Sequence, residues 1–178
     1  MNQVQPFGSW PSTLSASVVA RAGVRLGAIF AQGTTTWWWE GRPAEAGRGV
    51  IVVDGPSGRV DLTPAPANVR SRVHEYDGGS WTVLSDQTVA YVEAVDQHIH
   101  LVSPDGTTRQ LTSHTDDTRY GNLTDGGEVI FAVRERHSTS ADGQHHAEPV
   151  NDLVAIERSS GAVHVVASGH DFFSSPRP

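Results

Sequence analysis

A short apolar strand, a turn that closes on glycine and a second strand recur three times along this chain. The copies begin at Val50-Ile51-Val52-Val53, at Ile99-His100-Leu101-Val102 and at Leu153-Val154-Ala155-Ile156. Their turn glycines are Gly58, Gly106 and Gly161, 48 and 55 residues apart. Self-similarity at such a period marks stacked units, and for units of four short strands the leading architecture is the β-propeller blade. A blade cannot bury both of its faces alone. Three of them therefore read as an arc, part of something larger.

The strands between the repeats fill out that reading. Residues 28–31, 34–40, 50–53 and 60–62 make one four-stranded unit. Residues 81–84, 88–93, 98–102 and 107–111 make a second, and 121–123, 129–133, 152–156 and 163–166 a third. The expected fold class is all-β: a partial propeller of about three four-stranded antiparallel blades after a short N-terminal helix. The expected divisions are 1–23 for the N-terminal segment, 24–66, 67–113 and 114–168 for the blades, and 169–178 for the start of a further one. Ser15 is placed to cap the helix over 16–22, and Gly23 to stop it in the left-handed region.

Trp37-Trp38-Trp39 lies in a strand, so Trp38 points opposite to its two neighbours. Trp38, Tyr91 and Phe131 are the aromatics of equivalent strands and are expected to fill the gap between sheets. Glu40 and Glu93 end equivalent strands and read as rim charges. Phe30, Val52, Phe131 and Val154 are expected on the end faces, where uncovered apolar surface drives self-association.

Composition excludes several classes. The net charge is −7, and the thirteen basic residues, all arginine, are scattered. Nucleic acid and anionic membrane are poor partners for such a chain. With no cysteine there are no disulfides or thiolate metal sites, which fits a cytoplasmic setting. Residues 1–6 do not read as a secretory signal, and no apolar run approaches the ~20 residues that span a bilayer. His98 and His100 share one strand face, and His145 and His146 lie in a long loop. A zinc site normally needs three or four convergent ligands, so these read as surface histidines, with no metal or cofactor expected.

The densest polar group lies between the first two blades. Val69-Arg70-Ser71-Arg72-Val73-His74-Glu75-Tyr76-Asp77-Gly78-Gly79 resembles the Arg-Val-His-Glu-Tyr-Gly-Gly-Gly stretch in the propeller of prolyl oligopeptidase-family serine peptidases, in particular the dipeptidyl aminopeptidase/acylaminoacyl-peptidase group. Residues 6–12, 24–27, 39–43, 148–153 and 168–177 resemble the same family in the same order. Asp77 stands where the pattern has glycine. The resemblance implies an N-terminal propeller that covers a C-terminal α/β-hydrolase domain and restricts entry to short peptides. The Ser-Asp-His triad belongs to that hydrolase domain. No Gly-x-Ser-x-Gly elbow occurs here, so no catalytic residue is assigned and no serine is read as a nucleophile. Arg72, His74, Glu75 and Tyr76 either tie adjacent blades together or face the central cavity and orient a peptide. The alternative function is a stand-alone, non-catalytic module that binds a protein or peptide through its blade loops.

Overall fold

The computed structural model describes residues 4–20, 23–75, 78–114, 116–137 and 148–178. Its body is three four-stranded antiparallel sheets, each a simple meander. The first holds β1 (Arg25–Gln32), β2 (Thr35–Arg42), β3 (Arg48–Gly55) and β4 (Gly58–Asp61). The second holds β5 (Trp81–Val83), β6 (Val89–Val92), β7 (Ile99–Val102) and β8 (Thr108–Gln110). The third holds β9 (Asp117–Asp125), β10 (Val129–His137), β11 (Val150–Glu157) and β12 (Val163–Ser168). The three glycines that revealed the repeat all take left-handed φ, 91°, 85° and 75° at Gly58, Gly106 and Gly161. Gly58 opens the fourth strand and Gly106 and Gly161 lie just before it, where a residue without Cβ turns the chain at least cost.

The sheets stack face to face. Between blades 1 and 2 lie Trp37, Ile51 and Leu62 from one side and Trp81, Val89, Tyr91 and Val102 from the other. Between blades 2 and 3 lie Ala90, Val92, Ile99 and Leu101 against Ile130, Ala132, Val154 and Ile156. Blade 2 thus alternates its side chains between two neighbours, which is why β6 is buried along its whole length. The first strands converge, with β5 touching β9, while the fourth strands are largely exposed and form the rim.

Two blades share a locking device. In blade 1 the Thr63 hydroxyl accepts the Ile51 N–H at 2.9 Å, while the Leu62 N–H donates to the Ile51 carbonyl. In blade 2 Thr112 and Leu111 do the same at Ile99. The buried N–H at the third strand is satisfied where the fourth strand leaves the ladder, and an unmet one costs about 1–3 kcal/mol.

Several expectations change. Among the described residues the helix covers Ala16–Ala20, with Ser15 Oγ accepting the Val18 N–H at 3.2 Å, and residues 21 and 22 lie outside them. Trp38 does point away from Trp37 and Trp39, but it is only half-buried, and the buried indole of the three is Trp37. Trp38, Tyr91 and Phe131 do not fill one repeated slot: Tyr91 lies in the blade 1–2 core, whereas Trp38 and Phe131 are outside both clusters. Phe30 packs on the blade 1–2 core, and Val52 and Val154 are fully buried, so none of these three forms an open apolar end.

Glu40 is not a rim charge, because its side chain is 5% exposed. It sits over Val50 on the outward face of blade 1. There it accepts the Trp38 indole N–H at 2.9 Å, the Arg42 Nε at 3.0 Å and Arg59 Nη2 at 2.6 Å. Arg42 also pairs with both oxygens of Asp61, and the Arg59 guanidinium lies 4.9 Å from the Trp38 ring centre. A buried carboxylate held by two cations and an indole N–H therefore caps the centre of this face. Glu93 is likewise held rather than free, since it accepts the Asn68 N–H.

Replacing Trp37 by alanine should cost on the order of 3–5 kcal/mol, whereas Val165→Ala on the exposed β12 should stay within about 0.5. Denaturant midpoints measure both, and equal values would contradict the stacking. The cap sets an acid dependence. Burial pushes the Glu40 carboxyl up, but the bonds from Trp38 and Arg42 and the charges of Arg42 and Arg59 outweigh it and hold it below 4.5. Arg42 holds the Asp61 carboxyl below its ordinary value against a smaller effect of burial. The folded chain then binds fewer protons than the unfolded one as pH falls past these ordinary values. Its extra stability is present above about pH 5 and is lost as pH drops through the lowered values. Glu40→Gln should flatten the stability–pH slope on the acid side, and parallel curves for parent and variant would refute the assignment.

Candidate functional site: the junction of the three blades

The linker from blade 1 to blade 2 touches all three sheets within seven residues. The Val69 N–H donates to Gly49 O of blade 1 at 2.9 Å, and the Arg70 N–H to Val92 O of blade 2 at 3.0 Å. Ser71 Oγ donates to Tyr120 O of blade 3 at 2.6 Å and accepts the Val73 N–H. Ser71 is fully buried. Glu75 then reaches Arg119 on β9.

Arg119 gathers most of the charge. Its guanidinium is nearly buried and also faces Asp117 Oδ1 at 3.3 Å, Glu135 Oε2 at 3.8 Å and the Arg72 carbonyl at 3.4 Å. His137 Nε2 lies 3.0 Å from the same Glu135 carboxylate. The Arg119 bond and charge pull the Glu75 carboxyl below its ordinary value. A buried cation shared among carboxylates fixes the linker on blade 3, because a guanidinium offers five donors in one plane.

Backbone strain aims this contact. His74 and Glu75 have φ of 56° and 64°, the left-handed region that non-glycine residues seldom enter. Two such residues in succession cost on the order of 1–3 kcal/mol each and persist only when their surroundings hold them. The Glu75–Arg119 contact and the Glu75 N–H bond to Arg72 O do so here. The His74 ring packs edge-on against Phe172 with centroids 5.4 Å apart. Downstream, Gly79 takes φ 54°, and a Cβ there would stand 2.8 Å from the Asn122 Cα. The glycines of the motif therefore let the linker lie directly on β9, where Asn122 and Leu123 N–H groups bond Gly78 and Gly79 carbonyls.

Of the four residues singled out in the sequence, Glu75 reaches blade 3, while Arg72 is held on blade 2. The Arg72 N–H donates to Gln97 Oε1 at 2.8 Å, and its Nη2 to Ala94 O at 3.0 Å. His74 lies between them in the strained turn, and Tyr76 and Asp77 lie outside the described residues. Sequence reasoning missed Arg119, Glu135 and Gln97. The cue available was the i, i+2 spacing of Asp117 and Arg119 at the head of a strand, which is too common to single out.

Among the described residues His98 and His100 have different neighbours. His100 stacks on Tyr91 and lies 3.2 Å from Asp96, while His98 meets His114 edge-on at 4.1 Å. Burial first, and then the neighbouring His114, pull the His98 imidazole below its ordinary pKa. Among the described residues no three metal-ligating side chains form a group, and no helix is long and apolar enough to cross a membrane. His145 and His146 lie outside the described residues.

Arg119→Met should destabilise the fold by about 3 kcal/mol, because it removes the nearly buried guanidinium that Asp117, Glu135 and the Arg72 carbonyl face. Glu75→Gln, at a largely exposed carboxylate, should cost less than about 1 kcal/mol. Chemical denaturation of the two variants measures the difference, and the reverse order would place the anchor elsewhere.

No family model and no curated protein matches the chain. Solved structures do. A Mycobacterium tuberculosis puromycin-hydrolyzing peptidase is 30% identical, with a TM-score of 0.84 over 99% of this chain and 29% of that one. A puromycin hydrolase is 26% identical, with a TM-score of 0.78 over 96% of this chain and 28% of that one. A variant of puromycin hydrolase complexed with PGG gives 26% and 0.77, over 94% of this chain and 28% of that one. The chain thus spans less than a third of the length of the structures it matches. Fold, order of segments and sequence identity thus make this chain similar to one portion of the puromycin-hydrolyzing peptidases, in keeping with the resemblance to the prolyl oligopeptidase family.

Proposed function

We propose that this chain is the access-controlling propeller portion of a serine peptidase. A partnered α/β-hydrolase domain would supply the triad, and the propeller would admit puromycin or short peptides. The carrying observation is the match along 99% of this chain to a puromycin-hydrolyzing peptidase, at a TM-score of 0.84. Dipeptidyl-aminopeptidase or acylaminoacyl-peptidase specificity is the corresponding finer reading, carried by the linker motif around Glu75. A cytoplasmic setting fits the absence of cysteine.

The open faces favour association with further blades or with another copy. On blade 3 the half-buried Phe131, Leu153 and Ala155 lie on the face turned away from blade 2. Segment 169–178 begins to cover the β9 side, where Thr124 Oγ1 donates to Pro176 O at 3.1 Å and Pro176 is buried. The cap around Glu40 favours the second reading, a stand-alone binding module, since a polar end keeps a repeat array soluble. Light scattering separates the two: association of the chain by itself supports the first reading, and a stable monomer at high concentration the second.

The peptidase reading is tested by replacing the matching portion of the mycobacterial enzyme with this chain. The chimera should hydrolyse puromycin and short peptides and spare long polypeptides, whereas the 178-residue chain should hydrolyse none of them. A chimera that cleaves a small chromogenic aminoacyl substrate yet no longer excludes long polypeptides would overturn the gating role. So would turnover by the chain alone that a serine-directed inhibitor abolishes.

A further inference from the structure

Nearly every described arginine side chain is engaged. Arg42, Arg48, Arg59, Arg119, Arg134, Arg136 and Arg158 pair with carboxylates. Arg72, Arg109 and Arg177 donate to carbonyls. Among the described residues only Arg25 and Arg70 have neither kind of partner, and both line one cavity of about 580 Å³. It lies between the first strand of blade 1 and the start of blade 2, on the side where the first strands converge.

An indole forms part of the cavity wall. Trp39 lies across glycines: a Cβ at Gly27 would fall 2.8 Å from its Cε3, and one at Gly41 2.7 Å from its Cη2. Its Nε1 donates to Val69 O at 3.1 Å, so the ring is pinned to the residue before Arg70. Arg25 stands opposite Gly41 in the β1–β2 register, beside the same ring. Ser80 completes the polar lining.

We propose that this cavity binds a small carboxylate carrying an apolar body, with Arg25 and Arg70 holding the carboxylate and Trp39 holding the body. Guanidinium groups stay charged at any physiological pH and match a carboxylate with paired hydrogen bonds. Among the described residues neither has an anionic partner, so in a chain with a net charge of −7 the two make a local positive site. The volume suits a ligand of two or three residues. The assignment to the free C-terminal carboxylate of a short peptide rests on the peptidase reading. The site itself belongs to this chain and is measured on it alone.

The probes are the dipeptide Ala-Phe, its C-terminal amide and benzoate, titrated calorimetrically into the full chain. Ala-Phe should bind saturably and at least about tenfold more tightly than the amide, the loss expected when charge-assisted hydrogen bonds go. Raising salt from about 50 to about 500 mM should weaken Ala-Phe and leave the amide unchanged. Arg25→Gln and Arg70→Gln should each erase the preference for the acid while keeping the thermal midpoint, because neither side chain has a partner among the described residues. Arg109→Gln, on the exposed β8, should leave the preference for the acid intact. Equal affinity for acid and amide, no saturable binding up to about 10 mM, or full binding by both glutamine variants would overturn the site. Benzoate as tight as Ala-Phe would overturn the peptide assignment. An inactive chimera alongside selective Ala-Phe binding would sink the peptidase reading and leave the site standing, and an active chimera without such binding would do the reverse.

Discussion

Burial of both faces of the middle sheet is the condition on which the rest of this structure depends. Blade 2 has short strands, three or four residues each, and could not hold together alone. It persists because Trp37 and Ile51 close one face while Ile130 and Ile156 close the other. Burial of this kind contributes roughly 25 cal/mol per Å² of apolar surface, without direction. Stacking alone would not say how one sheet is rotated on the next.

The linker supplies that direction. Within residues 69–75 the backbone bonds blade 1, then blade 2, and a serine hydroxyl then bonds blade 3. Each bond is worth little net, but each sits where an unsatisfied group would be costly, so the set admits one arrangement. Arg119 extends the same logic to charge. Its carboxylate partners come from the linker and from two strands of blade 3, so the junction forms only when all of them are in place. The positive φ values at His74 and Glu75 show that the chain tolerates local strain to reach that state.

The cations divide between two jobs. Arg42 and Arg59 neutralise Glu40 on the outward face of blade 1 and keep Val50 and Val52 from water without a further sheet. Arg25 and Arg70 have no such duty and border a cavity beside the converging first strands. Among the described residues the scattered arginines thus resolve into ion pairs, carbonyl donors and the couple Arg25 and Arg70, which has neither kind of partner.

The sequence by itself determined the number of blades, the turns on Gly58, Gly106 and Gly161, and the opposed orientation of Trp38. These are local: a strand alternates with period two, and a tight turn selects glycine wherever it occurs. The linker motif was legible as a resemblance, and with it the interest of Glu75. Tertiary structure alone decided that Trp37 rather than Trp38 is the buried indole, that Glu40 is a buried cap rather than a rim charge, and that Arg119, 44 residues from Glu75, anchors it. It alone brought Arg25 and Arg70 to one cavity. The physical reason is that periodicity tells which side of a sheet a residue occupies, whereas its burial and partners depend on what the neighbouring blade places against that side.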